Sequence, residues 1–354
     1  MPRSLVACIA GILIAGTAIA RSSGDAETGQ ARSLQDDRVQ LGQALFFDRA
    51  LSVDGGVSCA SCHDKERAFA DARATSVGAS KVALTRNAPS LLDVKDRPVL
   101  FWDGRSPSLE QQVASPLLNP LEHGLADEQA VLVILRRSPN YASEFARAFP
   151  EEATPLSLKT VSAAIAAYER TLATPESALD RYLGGAAASG LSQAALRGWQ
   201  TFRGNAHCTQ CHAAEGQRPA LTDDAFHSSP LGLGDAVTAQ LPALIERIAA
   251  ARASADPDAV GKLISRDRDV ASLGRFVVSF DPRDIGVFRT PSLRGVALTA
   301  PYMHDGSVAT LEQAVDLELY RDDGPLRKPI TLSAQETADL VTFLRESSTP
   351  LAAR

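Results

Sequence analysis

The sequence contains the same five-residue pattern twice: two cysteines separated by two residues and followed directly by a histidine. The copies are Cys59-Ala60-Ser61-Cys62-His63 and Cys208-Thr209-Gln210-Cys211-His212. This C-x-x-C-H pattern is the attachment signature of a c-type haem. Two thiols at this spacing can bond to the two vinyl groups of one porphyrin, and the adjacent imidazole can then ligate the iron. The sequence therefore predicts two covalently bound haem c groups.

Zinc binding and thiol–disulfide exchange are the alternatives for a pair of C-x-x-C motifs. A zinc ribbon requires its two knuckles within a short span, whereas these motifs lie in different halves of the chain. A thioredoxin-like pair neither requires the trailing histidine nor explains its recurrence. Apart from Cys8, every cysteine of the sequence belongs to one of the two motifs. We therefore favour the di-haem interpretation over both alternatives.

The composition is that of a soluble globular protein and argues against nucleic acid as a partner. The chain has 354 residues, of which 45% are hydrophobic and 22% are charged. This length is sufficient for two domains of ordinary size. The net charge of −6 provides no basic field that could hold phosphates.

Residues 1–20 have the features of a secretory signal peptide. Arg3 supplies a short positive region, an apolar run follows it, and small residues ending at Ala20 form a cleavage site. The apolar run is too short to favour a membrane span. Cys8 precedes most of that run, which argues against a lipoprotein. We predict cleavage after Ala20 and a periplasmic location, because c-type haem is attached outside the cytoplasm.

The residues before the two motifs repeat the order helix, glycine-containing loop and C-x-x-C-H. The apolar residues at helical spacing are Leu41, Leu45 and Phe46 before the first motif, and Leu196, Trp199 and Phe202 before the second. We interpret this as a weak internal repeat. The expected fold is all-α, with two cytochrome-c-like domains at residues 39–185 and 186–354. Residues 21–38 are expected to form a disordered lead-in.

Three further helices are predicted from apolar periodicity and capping residues. One extends from Leu158 to Leu172 with Ser157 as its cap, and one from Leu241 to Ala253. The last helix is opened by the capping box Ser333-Ala334-Gln335-Glu336. Strand signals are few, and the apolar segment Phe276-Val277-Val278 is expected to form only a small hairpin.

Five longer motifs resemble those of the bacterial di-haem cytochrome c peroxidases and their MauG-like relatives. They are Leu45-Phe46-Phe47-Asp48, Arg86-Asn87-Ala88-Pro89-Ser90, Phe101-Trp102-Asp103-Gly104-Arg105, Ser108-Leu109-Glu110-Gln111-Gln112 and Thr299-Ala300-Pro301-Tyr302-Met303-His304-Asp305-Gly306. The resemblance extends from about residue 39 to residue 346. It implies that the N-terminal haem reacts with hydrogen peroxide and that the C-terminal haem passes electrons.

The resemblance also implies roles for individual residues. His63 and His212 match the proximal ligands of the peroxidatic iron and the electron-transfer iron. Trp102 matches a tryptophan between the two haems, although a core aromatic is the usual role of such a residue. Gln112 and Glu122 match a distal pair in which the glutamine orients peroxide and the glutamate moves a proton. A carboxyl suits that role when desolvation raises its pKa.

A calcium site between the domains is a further implication of the resemblance. Asn87, Thr299 and Pro301 match the family's calcium-binding residues. Such a site uses side-chain and carbonyl oxygens, which suit a hard cation. Without the resemblance, nothing in the sequence predicts this site.

The sequence departs from the peroxidases in the segment that supplies a removable ligand. Many of those enzymes keep a distal histidine on the peroxidatic iron until the other haem is reduced. Between His63 and His123 this chain has no histidine. We therefore expect the resting peroxidatic iron to be open or to hold only water. His123, beside Glu122, is the only nearby substitute.

A second departure concerns the sixth ligand of the C-terminal iron. The peroxidases use methionine and MauG uses tyrosine at a position that Glu318 occupies here. Tyr320 lies two residues further on and has the chemical precedent. Two positions on a helix differ by about 200° in direction, so Tyr320 reaches the iron only if the chain is displaced by two residues. The sequence favours Tyr320 narrowly, with Glu318 as the alternative.

Three functions are compatible with these observations. The first is a periplasmic di-haem peroxidase that reduces hydrogen peroxide to water with electrons from a small cytochrome c or cupredoxin. The second is a MauG-like enzyme that uses peroxide to oxidise side chains of a partner protein, a role that an oxygen ligand on the C-terminal iron favours. The third, an electron-transfer cytochrome without catalysis, is disfavoured because a pure carrier gains nothing from an open iron. A homodimer is compatible with all three.

Overall fold

The protein is seen here in a computed structural model that describes residues 23–320 and 330–351. The predicted signal peptide, residues 1–20, lies outside this part of the chain. The helices are α1 (Ser23–Phe47), α2 (Leu109–Leu118), α3 (Glu128–Arg136), α4 (Tyr141–Ala148), α5 (Leu158–Glu169), α6 (Ala178–Leu183), α7 (Gln193–Arg203), α8 (Asp235–Arg252), α9 (Ala259–Arg266), α10 (Arg268–Ser272), α11 (Phe276–Ser279), α12 (Leu311–Leu319) and α13 (Ala334–Glu346). Strands β1 (Phe226–Ser228) and β2 (Val287–Arg289) form an antiparallel pair. The fold is thus mostly helical, as predicted.

Helix α1 corrects the predicted lead-in, because residues 23–38 are helical rather than disordered. Two polar residues at the end of this stretch, Asp37 and Arg38, have partners far away in the chain. The Arg38 Nε donates to the carbonyl oxygen of Ala148 at 2.9 Å, and Arg147 forms an ion pair with Asp37 at 2.8 Å. A composition that is typical of disorder therefore belongs to a helix that is fixed to the end of α4.

The N-terminal half is built on the crossing of α1 and α5. A Cβ atom added to Gly42 would lie 1.8 Å from the carbonyl oxygen of Ala164, so the two backbones approach as closely as only glycine permits. Leu41, Leu45 and Phe46 are buried at this crossing, as the sequence predicts. The Ser157 side chain accepts from the amide of Thr160, which confirms the predicted cap of α5.

The C-terminal half repeats this crossing with α7 and α13. Here a Cβ atom on Gly198 would lie 2.0 Å from the carbonyl oxygen of Asp339. The predicted capping box is present, since the Ser333 side chain accepts from the Glu336 amide and the Glu336 carboxylate accepts from the Ser333 amide. In each half, the helix that precedes C-x-x-C-H crosses a later helix at a glycine, which supports the internal repeat. Leu179 of α6 packs in the hydrophobic cluster of the C-terminal half, with Trp199 and Phe343. The C-terminal domain therefore includes residues that precede the predicted domain boundary at residue 185.

A third hydrophobic cluster is formed by α8 to α11 and has no counterpart in the described part of the N-terminal half. The predicted helix from Leu241 to Ala253 is confirmed and begins earlier, at Asp235. The predicted hairpin at residues 276–278 is wrong, because this segment is helix α11. Phe276 and Val277 are buried against Leu244 and neighbouring apolar side chains, and one helical turn brings both to the same cluster.

The third cluster is tied to the N-terminal half by side-chain hydrogen bonds. The Thr85 Oγ1 donates to the carbonyl oxygen of Ile264 at 2.6 Å, and the Ser115 Oγ donates to the Asp258 carboxylate at 2.7 Å. Helix α9 therefore closes one side of the N-terminal half. Across residues 23–320 and 330–351, no helix has both the length and the apolar composition needed to cross a membrane.

Candidate active site: two clefts and the wall between them

Each C-x-x-C-H motif forms a tight turn that presents its histidine in a defined tautomer. The turns are Cys59–Ser61 and Cys208–Gln210, and in each the histidine amide donates to the carbonyl oxygen of the first cysteine at 2.9 Å. The His63 Nδ1 lies 2.9 Å from the Phe69 carbonyl oxygen, and the His212 Nδ1 lies 3.0 Å from that of Leu221. A carbonyl oxygen only accepts, so both Nδ1 atoms are protonated. Both Nε2 atoms then carry the lone pair that an iron needs.

Two clefts open beside these turns. The N-terminal cleft is lined by residues that include Cys59, Cys62, His63, Gln112, Glu122 and Glu169. The C-terminal cleft is lined by residues that include Cys208, Cys211, His212, His304, Glu318 and Leu340. The empty volume, which includes space open to solvent, is about 1370 Å³ for the N-terminal cleft and about 1530 Å³ for the C-terminal cleft.

The donor sets of the two clefts fit a covalently attached haem. Each cleft contains two cysteines that form no disulfide within the described residues, next to a histidine whose proton is on Nδ1. Burial lowers the pKa of His63, so its imidazole is neutral and able to ligate a metal. Both clefts also have predominantly apolar walls, which suit a porphyrin face.

The two clefts share one wall, which contains Trp102. Asn87, Pro89, Trp102 and Arg289 line both clefts. The indole Nε1 of Trp102 donates to the carbonyl oxygen of Asn87 at 2.9 Å, and the Trp102 carbonyl accepts from the Arg289 amide at 2.9 Å. These bonds fix the ring between the two motif-bearing clefts. Trp102 thus lines both clefts, and its place between two haems stays a prediction.

Gln112 and Glu122 both line the N-terminal cleft and are absent from the wall of the C-terminal one. Burial raises the pKa of Glu122 to about 7, against the opposing effects of Arg105 and of a hydrogen bond from Asn119. The Asn119 Nδ2 donates to the Glu122 Oε1 at 2.9 Å, and the same side chain reaches the Ser265 hydroxyl of α9. A carboxyl held in this way can gain or lose a proton near neutral pH.

A buried cluster of charges lies beside this pair. Asp103 is completely buried and forms ion pairs with Arg86 and Arg105. Burial alone would raise the pKa of Asp103, but Arg105 and Arg86 outweigh it and hold that pKa below its ordinary value. Both arginines line the N-terminal cleft, so one carboxylate balances two cations there. The charge of Arg105 lowers the pKa of Glu122, whereas that of Asp258 raises it.

His123 also lines the N-terminal cleft, and its ring is held in place. The His123 Nδ1 is hydrogen-bonded to the carbonyl oxygen of Leu51. Burial lowers the pKa of His123, so the ring is neutral. The amide of Val53 donates to the His123 carbonyl at 2.9 Å, which fixes the backbone as well. The sequence-based placement of His123 in the pocket is consistent with this geometry.

The two candidate sixth ligands of the C-terminal iron are separated by the structure. Glu318, in the last turn of α12, lines the C-terminal cleft. Tyr320 follows the end of α12 and is 66% exposed. Because Glu318 lines the cleft and Tyr320 does not, the narrow preference for Tyr320 is not supported by the geometry. Glu318 is the candidate that faces the cleft.

The three residues matched to a calcium site also lie on the wall of the C-terminal cleft. Asn87, Thr299 and Pro301 are brought together there from distant parts of the sequence. The Asn87 side-chain amide donates to the carbonyl oxygens of Arg73 and Ala74, at 3.3 and 3.1 Å. The amide nitrogen of Asn87 is thus engaged with the protein, an orientation that leaves its oxygen for another partner.

Several cleft residues were not identified from the sequence. Asn119 and Arg105 act through contacts that only the folded chain creates, so no local signal predicts their roles. Glu169 is different, because it lies one helical turn after Ile165 on the apolar face of α5. A carboxylate on an otherwise apolar face is a signal that the sequence does contain.

Comparisons with known proteins agree with this geometry. A family model described as di-haem cytochrome c peroxidase matches residues 36–188. Over 327 residues the chain is 34% identical to the methylamine utilization protein MauG of Methylorubrum extorquens, covering 89% of this chain and 79% of that protein. The chain belongs to the di-haem cytochrome c peroxidase and MauG family. It is also 31% identical to the cytochrome c551 peroxidase of Nitrosomonas europaea, covering 87% of this chain and 79% of that protein.

Solved structures support the same assignment. A crystal structure of a MauG-like protein associated with microbial copper homeostasis has a TM-score of 0.69 and 35% identity, covering 88% of this chain and 89% of that one. The diheme peroxidase BthA from Burkholderia thailandensis has a TM-score of 0.65 and 26% identity, covering 88% of this chain and 85% of that one. The resemblance found in the sequence is thus confirmed. This member of the family is a peroxidase-type oxidoreductase with two haem groups.

Proposed function

We propose that the mature protein is a periplasmic di-haem peroxidase that reduces hydrogen peroxide to water with electrons from a small cytochrome c or cupredoxin. One observation carries the proposal. Two clefts with C-x-x-C-H turns meet at Trp102, and only the N-terminal cleft contains the Gln112 and Glu122 pair. This asymmetry supports peroxide chemistry at the N-terminal cleft and electron entry at the C-terminal one.

The two motifs are the proposed attachment sites, within two cytochrome-c-like domains. Cys59 and Cys62 would hold one haem with His63 as the proximal ligand. Cys208, Cys211 and His212 would hold the other. When bound, the haem supplies the iron that accepts electrons and activates peroxide. The protein's own contribution is to orient the substrate, to move protons and to exclude other reactions.

Proton movement is the role of Glu122 in this proposal. Its ionised form accepts the proton of the peroxide oxygen that is retained, and its acid form returns that proton to the oxygen that leaves as water. A pKa of about 7 makes both forms available at neutral pH. The hydrogen bond from Asn119 fixes the carboxyl, and Gln112 orients the peroxide next to it. Arg105 lies beside this pair and favours the ionised form.

Trp102 provides the electronic connection in this proposal. Its indole lies in the wall that both clefts share and is fixed by a hydrogen bond to the Asn87 carbonyl. An aromatic π system at this place shortens the path for an electron that enters at the C-terminal cleft. Asn87, Thr299 and Pro301 are proposed to bind calcium beside this wall through oxygen atoms. Such an ion would stabilise the wall.

We expect Glu318 to be the sixth ligand of the C-terminal iron. Glu318→Ala should remove an axial oxygen and change the EPR signal and the optical spectrum of the C-terminal haem. Tyr320→Phe is the matched control and should leave both spectra unchanged, since Tyr320 is 66% exposed. The reverse pattern, with Tyr320→Phe altering the spectra, would return the role to Tyr320.

A MauG-like activity is the second candidate function. It is favoured by Glu318, because an anionic oxygen ligand stabilises iron in its higher oxidation states more than a methionine does. The relative from Methylorubrum extorquens is named as a methylamine utilization protein, and it is among the more similar proteins. In this role the chain would use peroxide to oxidise side chains of a partner protein. A homodimer is compatible with either function.

Stopped-flow and steady-state assays on the mature holo-protein test the main proposal. With a reduced small cytochrome c as donor, two donor molecules should be oxidised for each hydrogen peroxide consumed. Pyridine haemochrome analysis of the same sample should give two haems per chain. Peroxide consumption without oxidation of the donor, together with covalent change in an added protein, would instead favour the MauG-like function.

A further inference from the structure

Glu169 is a buried carboxyl that neither the attachment of haem nor the proposed proton shuttle uses. It is the last residue of α5, it is 4% exposed, and it lines the N-terminal cleft. Its Oε2 atom has no hydrogen-bond partner within the described residues. An uncompensated polar atom at such a depth is costly, and an apolar side chain would fill the same space more favourably. The carboxyl therefore requires a functional explanation.

Arg170, which follows Glu169 in the sequence, forms its ion pair with a different carboxylate. Arg170 forms an ion pair with Glu110 of α2 at 2.7 Å, and both of these side chains are partly exposed. Within the described residues, no salt bridge reaches Glu169. The carboxyl thus faces the cleft without a counter-ion, and burial raises its pKa to about 8.

Few other ionisable groups act on Glu169. The groups on the elements packed around it are Arg170 and Tyr168 on α5, Glu110 on α2 and Cys59 in the motif turn. Cys59 ceases to be ionisable once its sulfur is bonded to the porphyrin. Arg170 and Glu110 largely cancel each other's charge. The other groups in the same cleft whose charge can change are Glu122, with a pKa of about 7, and a haem bound there.

We propose that Glu169 is the proton-binding residue that compensates the electron on the N-terminal haem. When the electron donor delivers one electron to this haem, one proton from solvent binds the Glu169 carboxylate and gives the neutral acid. When the electron leaves, the proton leaves as well. Peroxide reduction consumes two electrons and two protons, so a site that binds a proton with an electron supplies both to the same cleft.

The direction of the coupling follows from charge. An oxidised haem has one more positive charge than a reduced one, and in a cleft of low dielectric this charge favours the ionised carboxyl. The pKa of Glu169 is therefore lower beside the oxidised haem than beside the reduced one. Between these two pKa values reduction takes up a proton, and the reduction potential falls as pH rises. The window should lie near and below pH 8.

Potentiometric titration of the holo-protein across this pH range tests the proposal without peroxide. In the wild type, the reduction equilibrium of the N-terminal haem should change by up to tenfold per pH unit, which is about 59 mV for one electron. Glu169→Gln, which keeps the shape and removes the proton site, should remove the part of this dependence near pH 8 and leave only the part that Glu122 contributes near pH 7. The C-terminal haem is the internal reference, since Glu169 does not line its cleft.

Glu110→Gln is the matched control, because it also removes one acidic group beside Arg170 but leaves the buried carboxyl in place. It should keep the slope of the wild-type dependence, with the window displaced to lower pH because Arg170 then acts on Glu169 without Glu110. Proton uptake on reduction, followed with a pH indicator in weakly buffered solution, should fall by up to one proton per chain in Glu169→Gln only. An unchanged dependence in Glu169→Gln, or an equal loss in Glu110→Gln, overturns the proposal.

Glu169→Asp covers the case in which the glutamine variant does not fold with haem. The aspartate keeps a carboxyl, so the dependence should persist with a displaced window, and a flat potential would contradict the proposal. This inference rests on the proposed function only in that the N-terminal cleft binds haem. A wild-type protein without haem there refutes the proposed function, whereas a bound haem with a pH-independent potential refutes only the role of Glu169.

Discussion

Replacing Glu122 by glutamine is expected to slow the reaction with hydrogen peroxide by about 10²–10⁴-fold, the usual effect of removing a general acid–base group. Glutamine has nearly the same shape but cannot accept the peroxide proton. The hydrogen bond from Asn119 to an oxygen at this position can persist, so the pocket should remain intact. Stopped-flow mixing of the oxidised variant with peroxide measures the rate, and pyridine haemochrome analysis should still show two haems.

The pH dependence of the wild-type rate gives an independent check. Burial places the pKa of Glu122 at about 7, and the form that accepts a proton is the ionised one. The rate should therefore rise with pH through this value and should level off above it. Glu110→Gln, on a partly exposed side chain of α2, is the control and should react like the wild type. A Glu122→Gln variant that reacts at the wild-type rate would show that Glu122 is not the shuttle.

The fully oxidised protein is expected to react with peroxide on mixing, without prior reduction of the C-terminal haem. The sequence has no histidine between His63 and His123, so the usual displaceable ligand is missing. The structure adds that the His123 ring is held by the Leu51 carbonyl and that its backbone is fixed by Val53. The oxidised protein should accordingly show one high-spin haem by EPR.

His123 provides the control for this expectation. If His123 were the resting ligand, the oxidised protein would have two low-spin haems and would react with peroxide only after half-reduction. In that event His123→Ala should become high-spin and reactive while fully oxidised. In the expected case, the variant keeps the spin state of the wild type. The two outcomes differ in both the spectrum and the reactivity.

The overall organisation was accessible from the sequence because it depends on local patterns. The C-x-x-C-H motifs are contiguous, so their residues must lie together in any fold. The caps at Ser157 and Ser333 act within one helical turn, and both helices begin where these residues predict. The motif around Trp102 also predicted a place between the clefts, although this relied on the resemblance rather than on spacing.

Errors arose where distant contacts decide the local conformation. Residues 23–38 have the composition of a disordered segment but are helical. Asp37 and Arg38, at the end of this stretch, contact residues of α4. The segment beginning at Phe276 has strand propensity, yet its apolar side chains are buried as a helical turn in the third cluster. In both cases the tertiary partner outweighs a weak local preference.

The sequence by itself determined the two C-x-x-C-H motifs, the helical class and the family, because each is encoded in contiguous or periodic residues. Only the tertiary structure decided which side chains face a cleft. It turned Glu318 inward and left Tyr320 exposed, a choice that depends on where α12 ends and how it packs. It also left Glu169 without a counter-ion, since Arg170 pairs with Glu110 on another helix. Burial and charge balance are properties of the whole packed chain, and for this reason no local pattern predicts the pKa of Glu122 or of Glu169.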